Sequence, residues 1–239
     1  MSRFETKEAK VHYIFSRIAK RYDLMNTVLS FRQHKIWRTA VMKRMNVQPG
    51  TSAIDVCTGT GDWAIALAKA VGEDGRVVGL DFCEPMLEEA ERKVVRQGVA
   101  KQVQMVHGNA MALPFDDNTF DYATIGFALR NVPDVEYVIG EMARVVKPGG
   151  MVVSLELSKP EWPLFRALYY FYFENILPRI GNLAAKDGVS YSWLPESLRS
   201  FPDRRGLEEI FQRAGLVRVE SKPFTGGIAA MHLGYKPQP

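Results

Sequence analysis

Cysteine is scarce in this chain: among 239 residues there are two, Cys57 and Cys83. Two thiols make neither the disulfide framework of a small secreted domain nor a zinc site. Both follow apolar runs, where a free Cys packs as a small hydrophobe. No stretch reaches the roughly eighteen uninterrupted apolar residues that a membrane-spanning helix needs. The first twenty residues lack the apolar centre of a signal peptide. The expected location is therefore a reducing cytoplasm. Charge of one sign is in little excess, with 31 Lys and Arg against 27 Asp and Glu for a net +4. That weak balance, without an appended RNA-binding motif, counts against nucleic acid as a partner. Repeats and linkers are absent too. What is present is ordinary globular composition, 46% hydrophobic and 24% charged, which excludes a disordered or collagen-like chain. A chain of this length buries a core without disulfide or metal staples.

The small positive excess is unevenly spread. Lys7, Lys10, Arg17, Lys20, Arg21, Arg32, Lys35, Arg38, Lys43 and Arg44 cluster near the start. They read as the solvated face of two helices, or as a surface for anionic lipid or nucleic acid. Residues 1–48 carry helical spacing, with Val11, Ile14, Phe15 and Ile18 on one face and Ile36, Ala40 and Val41 on another. Pro49-Gly50 ends them. Ala53–Val56, Arg76–Asp81, Val103–His107, Tyr122–Gly126 and Met151–Leu157 then read as strands. Helices are expected over Trp63–Val71, with Asp62 as cap, over Glu84–Arg96 and over Val135–Val146, the last ended by Lys147-Pro-Gly-Gly150. Strands alternating with helices argue a parallel sheet covered on both faces. Residues 162–200 are aromatic-rich and helical in pattern, in the manner of an insertion. Gly206–Ala214 is a final helix. Val217–Pro223 and Ile228–Tyr235 suggest an antiparallel hairpin finishing the sheet edge.

The chain divides, within a single domain over 1–239, into a helical lid (1–48), a cofactor-binding core (49–160), a helical substrate-side insertion (161–200) and a final helix and hairpin (201–239). In the core, Asp55-Val-Cys-Thr-Gly59-Thr-Gly61-Asp lies between a strand and a helix, where an open α/β sheet binds ligand. Glycines there permit positive φ and close backbone approach. Gly59-Thr-Gly61-Asp-Trp-Ala64 also fits the loose dinucleotide fingerprint, so the turn alone does not choose a cofactor. Asp81 ends the next strand, twenty residues beyond Gly61. It can accept from both ribose hydroxyls of an adenosine, or cap the helix near Glu84. His107-Gly-Asn109-Ala110 follows the third strand, where Asn109 and nearby backbone N–H groups can meet an adenine edge. In this order the three features look like class I methyltransferases that use S-adenosyl-L-methionine.

Two longer segments narrow the resemblance. Tyr22-Asp-Leu-Met-Asn26-Thr-Val-Leu-Ser30-Phe-Arg-Gln-His34-Lys-Ile-Trp37 and Arg144-Val-Val-Lys-Pro-Gly-Gly150 through Ser158 resemble the two signatures of the ubiquinone/menaquinone biosynthesis C-methyltransferases. Gly126–Val132, Tyr191–Ser197 and Phe224-Thr-Gly-Gly227 with His232 look like further segments of that family, and the likeness runs from about residue 10 to 236. One departure is Ala128, where the family usually has Gly. The resemblance implies a Rossmann-like α/β fold with a mostly parallel seven-stranded sheet, an N-terminal helical lid and a helical insertion before the last strands. It implies methyl transfer to a ring carbon of a prenylated quinol. Ser30–His34 and Tyr191–Trp193 look more like Gram-positive bacterial members, which implies demethylmenaquinol as acceptor. The benzoquinol precursor of ubiquinone, and a non-catalytic scaffold of a quinone-synthesis complex, are the alternatives.

The expected cofactor-binding residues are Asp55, Thr58, Gly59, Thr60, Gly61, Asp81, Phe82, Met86, Asn109, Ala110 and Tyr22. The acceptor ring must be made electron-rich, which needs a base or a positive group beside its hydroxyl. Arg130 is the first candidate, to hold a developing phenolate or position a water, and a surface pair with Asp134 is the structural alternative. Asn131 can orient the same water or cap the next turn. His232 is a third catalytic candidate, set against a structural role in its strand. Asp23 and His34 lie in the first signature, Tyr22 can meet either ligand, and Glu156 is an internal hydrogen-bond partner. Trp162, Phe165, Tyr169, Tyr170, Phe171, Tyr172 and Phe173 can border a channel for the tail or touch a membrane. Expected partners are the prenylated naphthoquinol and a transient membrane surface, with homodimerisation left open and no metal.

Overall fold

The computed structural model describes residues 6–160, 162, 166, 167, 169, 171 and 188–239. Three helices come first, α1 (Lys7–Ile18), α2 (Tyr22–Leu29) and α3 (Gln33–Met45). The core follows as β1 (Ser52–Val56), α4 (Asp62–Val71), β2 (Arg76–Asp81), α5 (Glu84–Arg96), β3 (Val103–His107), β4 (Phe120–Gly126), α6 (Val135–Val145) and β5 (Val146–Leu157). The chain ends with α7 (Gly188–Ser200), α8 (Arg204–Arg213), β6 (Val217–Phe224) and β7 (Ala229–Tyr235).

Seven strands form one sheet in the order β3-β2-β1-β4-β5-β7-β6. β1 to β5 run parallel, and β7 lies antiparallel to both β5 and β6. The hairpin therefore completes one edge as expected. Strand order reverses at β1, which has β2 on one side and β4 on the other. Open α/β sheets bind ligands beyond the strand ends at such a point.

Period-two alternation sends neighbouring side chains to opposite faces. Ile54, Val56, Ala123 and Ile125 pack under α6 and α8 with Val138, Met142 and Phe211. Ala53, Val77, Tyr122 and Val153 pack on the other face with Trp63 and Leu67 of α4 and Trp37 and Val41 of α3.

Three local expectations are corrected. Asp62 does not cap α4; Gly61, in the left-handed region at φ 78°, is the cap residue, and Asp62 is the first helical residue. Lys147-Pro-Gly-Gly150 does not separate α6 from a strand. β5 begins at Val146 and carries those residues, with Gly149 at φ 78° making the irregularity. Of the expected apolar face of α3, Val41 is buried and Ala40 half-buried, but Ile36 is not part of it. The buried residues of the helix are His34, Trp37, Val41 and Met45, and Ile36 faces solvent. Phe165, Tyr170, Tyr172 and Phe173 lie outside the described residues. Of that aromatic run Tyr169 is buried, while Trp162 and Phe171 are exposed.

Candidate active site

The turn after β1 is held by an unusual run of backbone conformations. Cys57, Gly59 and Gly61 all have positive φ, at 53°, 56° and 78°. Two buried carboxylates stitch it down. Asp55 accepts from the hydroxyls of Thr58, at 2.6 Å, and Thr124, at 2.7 Å. Asp81 accepts from the backbone N–H of Gly59 at 2.8 Å and of Cys83 at 2.9 Å. Asp81 thus joins the turn to the start of α5, and each of its oxygens keeps a lone pair for a further donor. Burial raises both carboxyls, Asp55 to about 6. Burial also pushes the Cys57 thiol up, which leaves it a packing group rather than a nucleophile.

Two of three adjoining cavities open over this turn, and Tyr22 and Phe127 border all three. The first is lined by Gly59, Asp81, Phe82, Met86, Asn109, Ala110, Ala128 and Asn131, with Glu8 and Val11 from α1. Among the described residues its charged lining residues are Glu8 and Asp81. A Cβ on Gly59 would meet nothing within 4 Å, so open space lies above the turn. A cavity with carboxylates and no Lys or Arg fits a cationic adenosyl sulfonium. It does not fit a pyrophosphate, which needs donors at a helix N-terminus; Asp62 occupies that position on α4. Gly61 does another job: a Cβ there would come within 3.1 Å of Ala90 Cβ, so it allows α4 and α5 to approach.

The second cavity is mostly apolar. Ile14, Ile18, Met25, Leu29, Trp37, Leu157, Leu194 and Ile228 surround it, and its polar members are Tyr22, Asn26, Ser30, His34, Arg130 and the Trp193 indole. The third connects the two, taking Asp55, Thr58, Gly59 and Thr60 from the turn and Asn26 and His34 from the lid.

The sequence reading left His34 without a chemical role. The Ser30 hydroxyl donates to the Asn26 carbonyl at 2.6 Å and lies 2.6 Å from His34 Nδ1. A hydroxyl has one proton, so its oxygen accepts from Nδ1–H. That fixes the tautomer with the lone pair on Nε2. Burial, with the nearby Arg38 charge, lowers the His34 pKa to about 4, so the ring is neutral near pH 7. No helical spacing signals this contact: Ser30 follows α2 and His34 lies in α3, and the left-handed reversal at Phe31 and Arg32 brings their side chains together.

Arg130 is 8% exposed and does not pair with Asp134, which instead caps α6 through Tyr137 N–H. Its Nη1 donates to Glu156 Oε1 at 2.7 Å and to the Phe127 carbonyl at 2.6 Å, while its buried Nε has no partner among the described residues. Asn131 accepts from Trp193 Nε1 at 2.9 Å, tying α7 to the segment after β4. Ala128, at φ −122°, has no need of glycine; the positive φ falls on Phe127, at 55°. His232 is a correction. It lines none of the three cavities: on β7 it packs against Phe211 and donates Nε2–H to the Arg204 carbonyl at 2.8 Å.

The lid is tied to the core by charge. Lys93 of α5 meets Asp23 of α2, and reaches Asp62 at 2.6 Å and the Thr60 hydroxyl at 3.1 Å. Thr60 donates to Asp23 at 2.6 Å and Arg38 of α3 donates to Asp62 at 2.7 Å. The two cations hold the Asp62 carboxyl down, at about 2, against the upward push of burial.

The likeness to known proteins is extensive. The chain is 59% identical over 232 residues to the demethylmenaquinone methyltransferase of Geobacillus kaustophilus, spanning 97% of this chain and 99% of that one. It is 56% identical over 234 residues to the protein of the same name from Bacillus cereus, spanning 98% of each. Among solved structures, a SAM-dependent methyltransferase from Aquifex aeolicus superposes with a TM-score of 0.61 at 23% identity, over 82% of this chain and 88% of that one. One from Thermotoga maritima superposes at 0.67 with 21% identity, over 94% and 99%. Both share the fold. The model of the ubiE/COQ5 methyltransferase family matches residues 3–236, and with that coverage the chain belongs to this family.

Proposed function

We propose that the protein methylates a ring carbon of a prenylated naphthoquinol, demethylmenaquinol, in menaquinone biosynthesis. The observation that carries this is the pairing of a cation-free acidic cavity with an apolar one across Tyr22 and Phe127. The printed name of the relatives supports the choice of acceptor. S-adenosyl-L-methionine, when bound, supplies a methyl group on a positively charged sulfur. Asp81 and Asn109 would hold the adenosyl end, Gly59 would leave room for it, and Phe82, Met86 and Ala110, which line the same cavity, would pack against it.

The chain's own residues then prepare the acceptor. Tyr22 and Phe127 set the distance between the two cavities and exclude water. His34 Nε2 takes the proton released in the reaction, either from the ring hydroxyl before transfer or from the methylated carbon afterwards; one proton leaves per turnover. Ser30 keeps the His34 lone pair on the correct nitrogen. Arg130 is a positioned donor whose net charge is compensated by Glu156, and it acts on the developing oxyanion through hydrogen bonding. Trp162 and Phe171 offer exposed aromatic surface for a transient membrane contact.

The test is product analysis with short-tail demethylmenaquinol and its benzoquinol counterpart under reducing conditions. Methylated naphthoquinol is the expected product. Preference for the benzoquinol would transfer the assignment to ubiquinone synthesis. Binding of S-adenosylmethionine without turnover of either would make the protein a scaffold.

A further inference from the structure

The helix that closes the acceptor cavity is apolar on both sides. α2 turns Tyr22, Met25 and Leu29 inward. Its opposite side carries Leu24 and Val28, 66% and 53% exposed and one turn apart. The chain then reverses through Phe31 and Arg32, both left-handed at φ 49° and 65°. Bulky residues seldom adopt that conformation. Here it leaves the Phe31 ring 75% exposed at the tip of the turn, and Ile36, on the first turn of α3, is 58% exposed.

The chain segment that carries these four residues is mostly basic, and the nearby Glu88 and Glu89 of α5, which face Lys20 and Arg21, are paired with Arg92. From Ala19 to Met45 there are seven Lys and Arg and a single acidic residue, Asp23. Asp23 is engaged by Thr60 and Lys93, and Arg38 and Arg44 pair with Asp62 and Glu220. Lys20, Arg21, Arg32 and Lys35 are exposed and make no ion pair among the described residues.

We propose that this outer face of α2 and α3 docks the protein on an anionic lipid bilayer. Leu24, Val28, Phe31 and Ile36 enter the interfacial layer, and Lys20, Arg21, Arg32 and Lys35 lie against headgroup phosphates. A second copy of the chain is the wrong occupant. A two-fold contact would set the same four cations against themselves. No helix of the described residues is long and apolar enough to cross a membrane, so the contact is a surface one. Docked this way, the acceptor cavity lies one helix diameter, about 10 Å, behind the membrane surface. A tailed quinol then reaches it without crossing water. That last consequence rests on the quinol reading, whereas the docking does not.

The experiment is co-sedimentation of the full chain with vesicles of phosphatidylcholine alone and of phosphatidylcholine with phosphatidylglycerol. Binding is expected to the mixed vesicles and to weaken with salt. The double variant Leu24→Glu/Phe31→Glu, and separately Arg32→Glu/Lys35→Glu, should lower it by about tenfold or more. Unchanged circular dichroism and S-adenosylmethionine affinity establish that each variant is folded. Turnover of a water-soluble short-tail quinol should be kept by Leu24→Glu/Phe31→Glu, while turnover of a long-tail quinol held in vesicles should be lost. Vesicle binding equal to the parent in both double variants overturns the proposal. So does a parent chain that ignores anionic vesicles, or one that forms a dimer which the same substitutions dissolve without any lipid binding. If lipid binding behaves as stated but no quinol is methylated, the proposed function fails and the docking surface stands.

Discussion

His34 and His232 are both neutral rings with pKa values near 4, and burial is the chief cause in each. They differ in where the lone pair faces. His34 lines the cavities with Nε2 free to accept, whereas His232 spends Nε2–H on a backbone carbonyl beneath α8. His34→Gln is expected to lower turnover by roughly a hundredfold or more, the usual loss of a general base, with S-adenosylmethionine affinity unchanged. In the parent, the acid limb of the rate profile should centre near 4 rather than 6.5; a limb at 6.5 would count against this base. The same two residues act on stability. Each binds its proton less tightly folded, at about 4, than at its ordinary 6.5. The unfolded chain therefore holds more protons in that window, and stability rises with pH across it and is lost on acidification. Asp55, raised from 3.8 to about 6, opposes this, because the folded state holds its proton more tightly. Urea midpoints measured against pH should show the rise flattened in His232→Asn and steepened in Asp55→Asn. Arg130→Ala strands the Glu156 carboxylate, 2% exposed, and should cost about 3–5 kcal/mol. Arg130→Ala/Glu156→Gln should recover much of that loss. Lost activity in a double variant of near-parental stability would then belong to the chemistry.

Among elements, the lid is held by a few charged contacts and little core. α1 meets the rest of the protein through small clusters, Val11 and Ile14 with Trp193, and Phe15 against Ala19, Cys83 and Met86. α2 has no buried residue. Lys93, reaching from α5 to Asp23 and Asp62, therefore has unusual leverage over whether the lid is closed. Lys93→Met is expected to leave the sheet intact and to open the lid. Limited trypsin digestion should cut sooner after Lys20 and Arg21, and cofactor affinity should fall by about tenfold, the worth of one charge-assisted contact. Cleavage at the parental rate would show that apolar packing alone holds the lid.

In the molecule as a whole, the two large core clusters lie on the sheet faces and draw nothing from residues 1–30; α3 is the one lid helix that enters them, through Trp37, Val41 and Met45. Removal of residues 1–30 should therefore leave a chain that unfolds cooperatively, with a far-ultraviolet spectrum diminished only by the loss of α1 and α2. It should lose methyl transfer completely, because Phe15, Tyr22 and Asn26 go with the deleted helices. Turnover by the truncated protein would separate the lid from the chemistry.

Strand and helix positions in the core were legible from local pattern, since alternation and glycine punctuation act within a few residues. β2, α5 and β3 fall on the expected bounds. The glycine turn and Asp81 were legible for the same reason: their spacing is set by one βαβ unit. What only tertiary structure decided was partnership between distant segments. Arg130 invited pairing with Asp134 four residues on, but the fold brings Glu156 from the neighbouring strand to 2.7 Å. His232 carried the right chemistry for a base and is turned by β7 toward α8. His34 gained its role from a cavity built by five separate segments of chain. Local sequence sets which way the backbone goes, because propensity and turn chemistry are short-ranged. Which charges meet, and which lone pair faces a ligand, depends on how β4, β5 and the lid helices pack, and no window of neighbouring residues contains that.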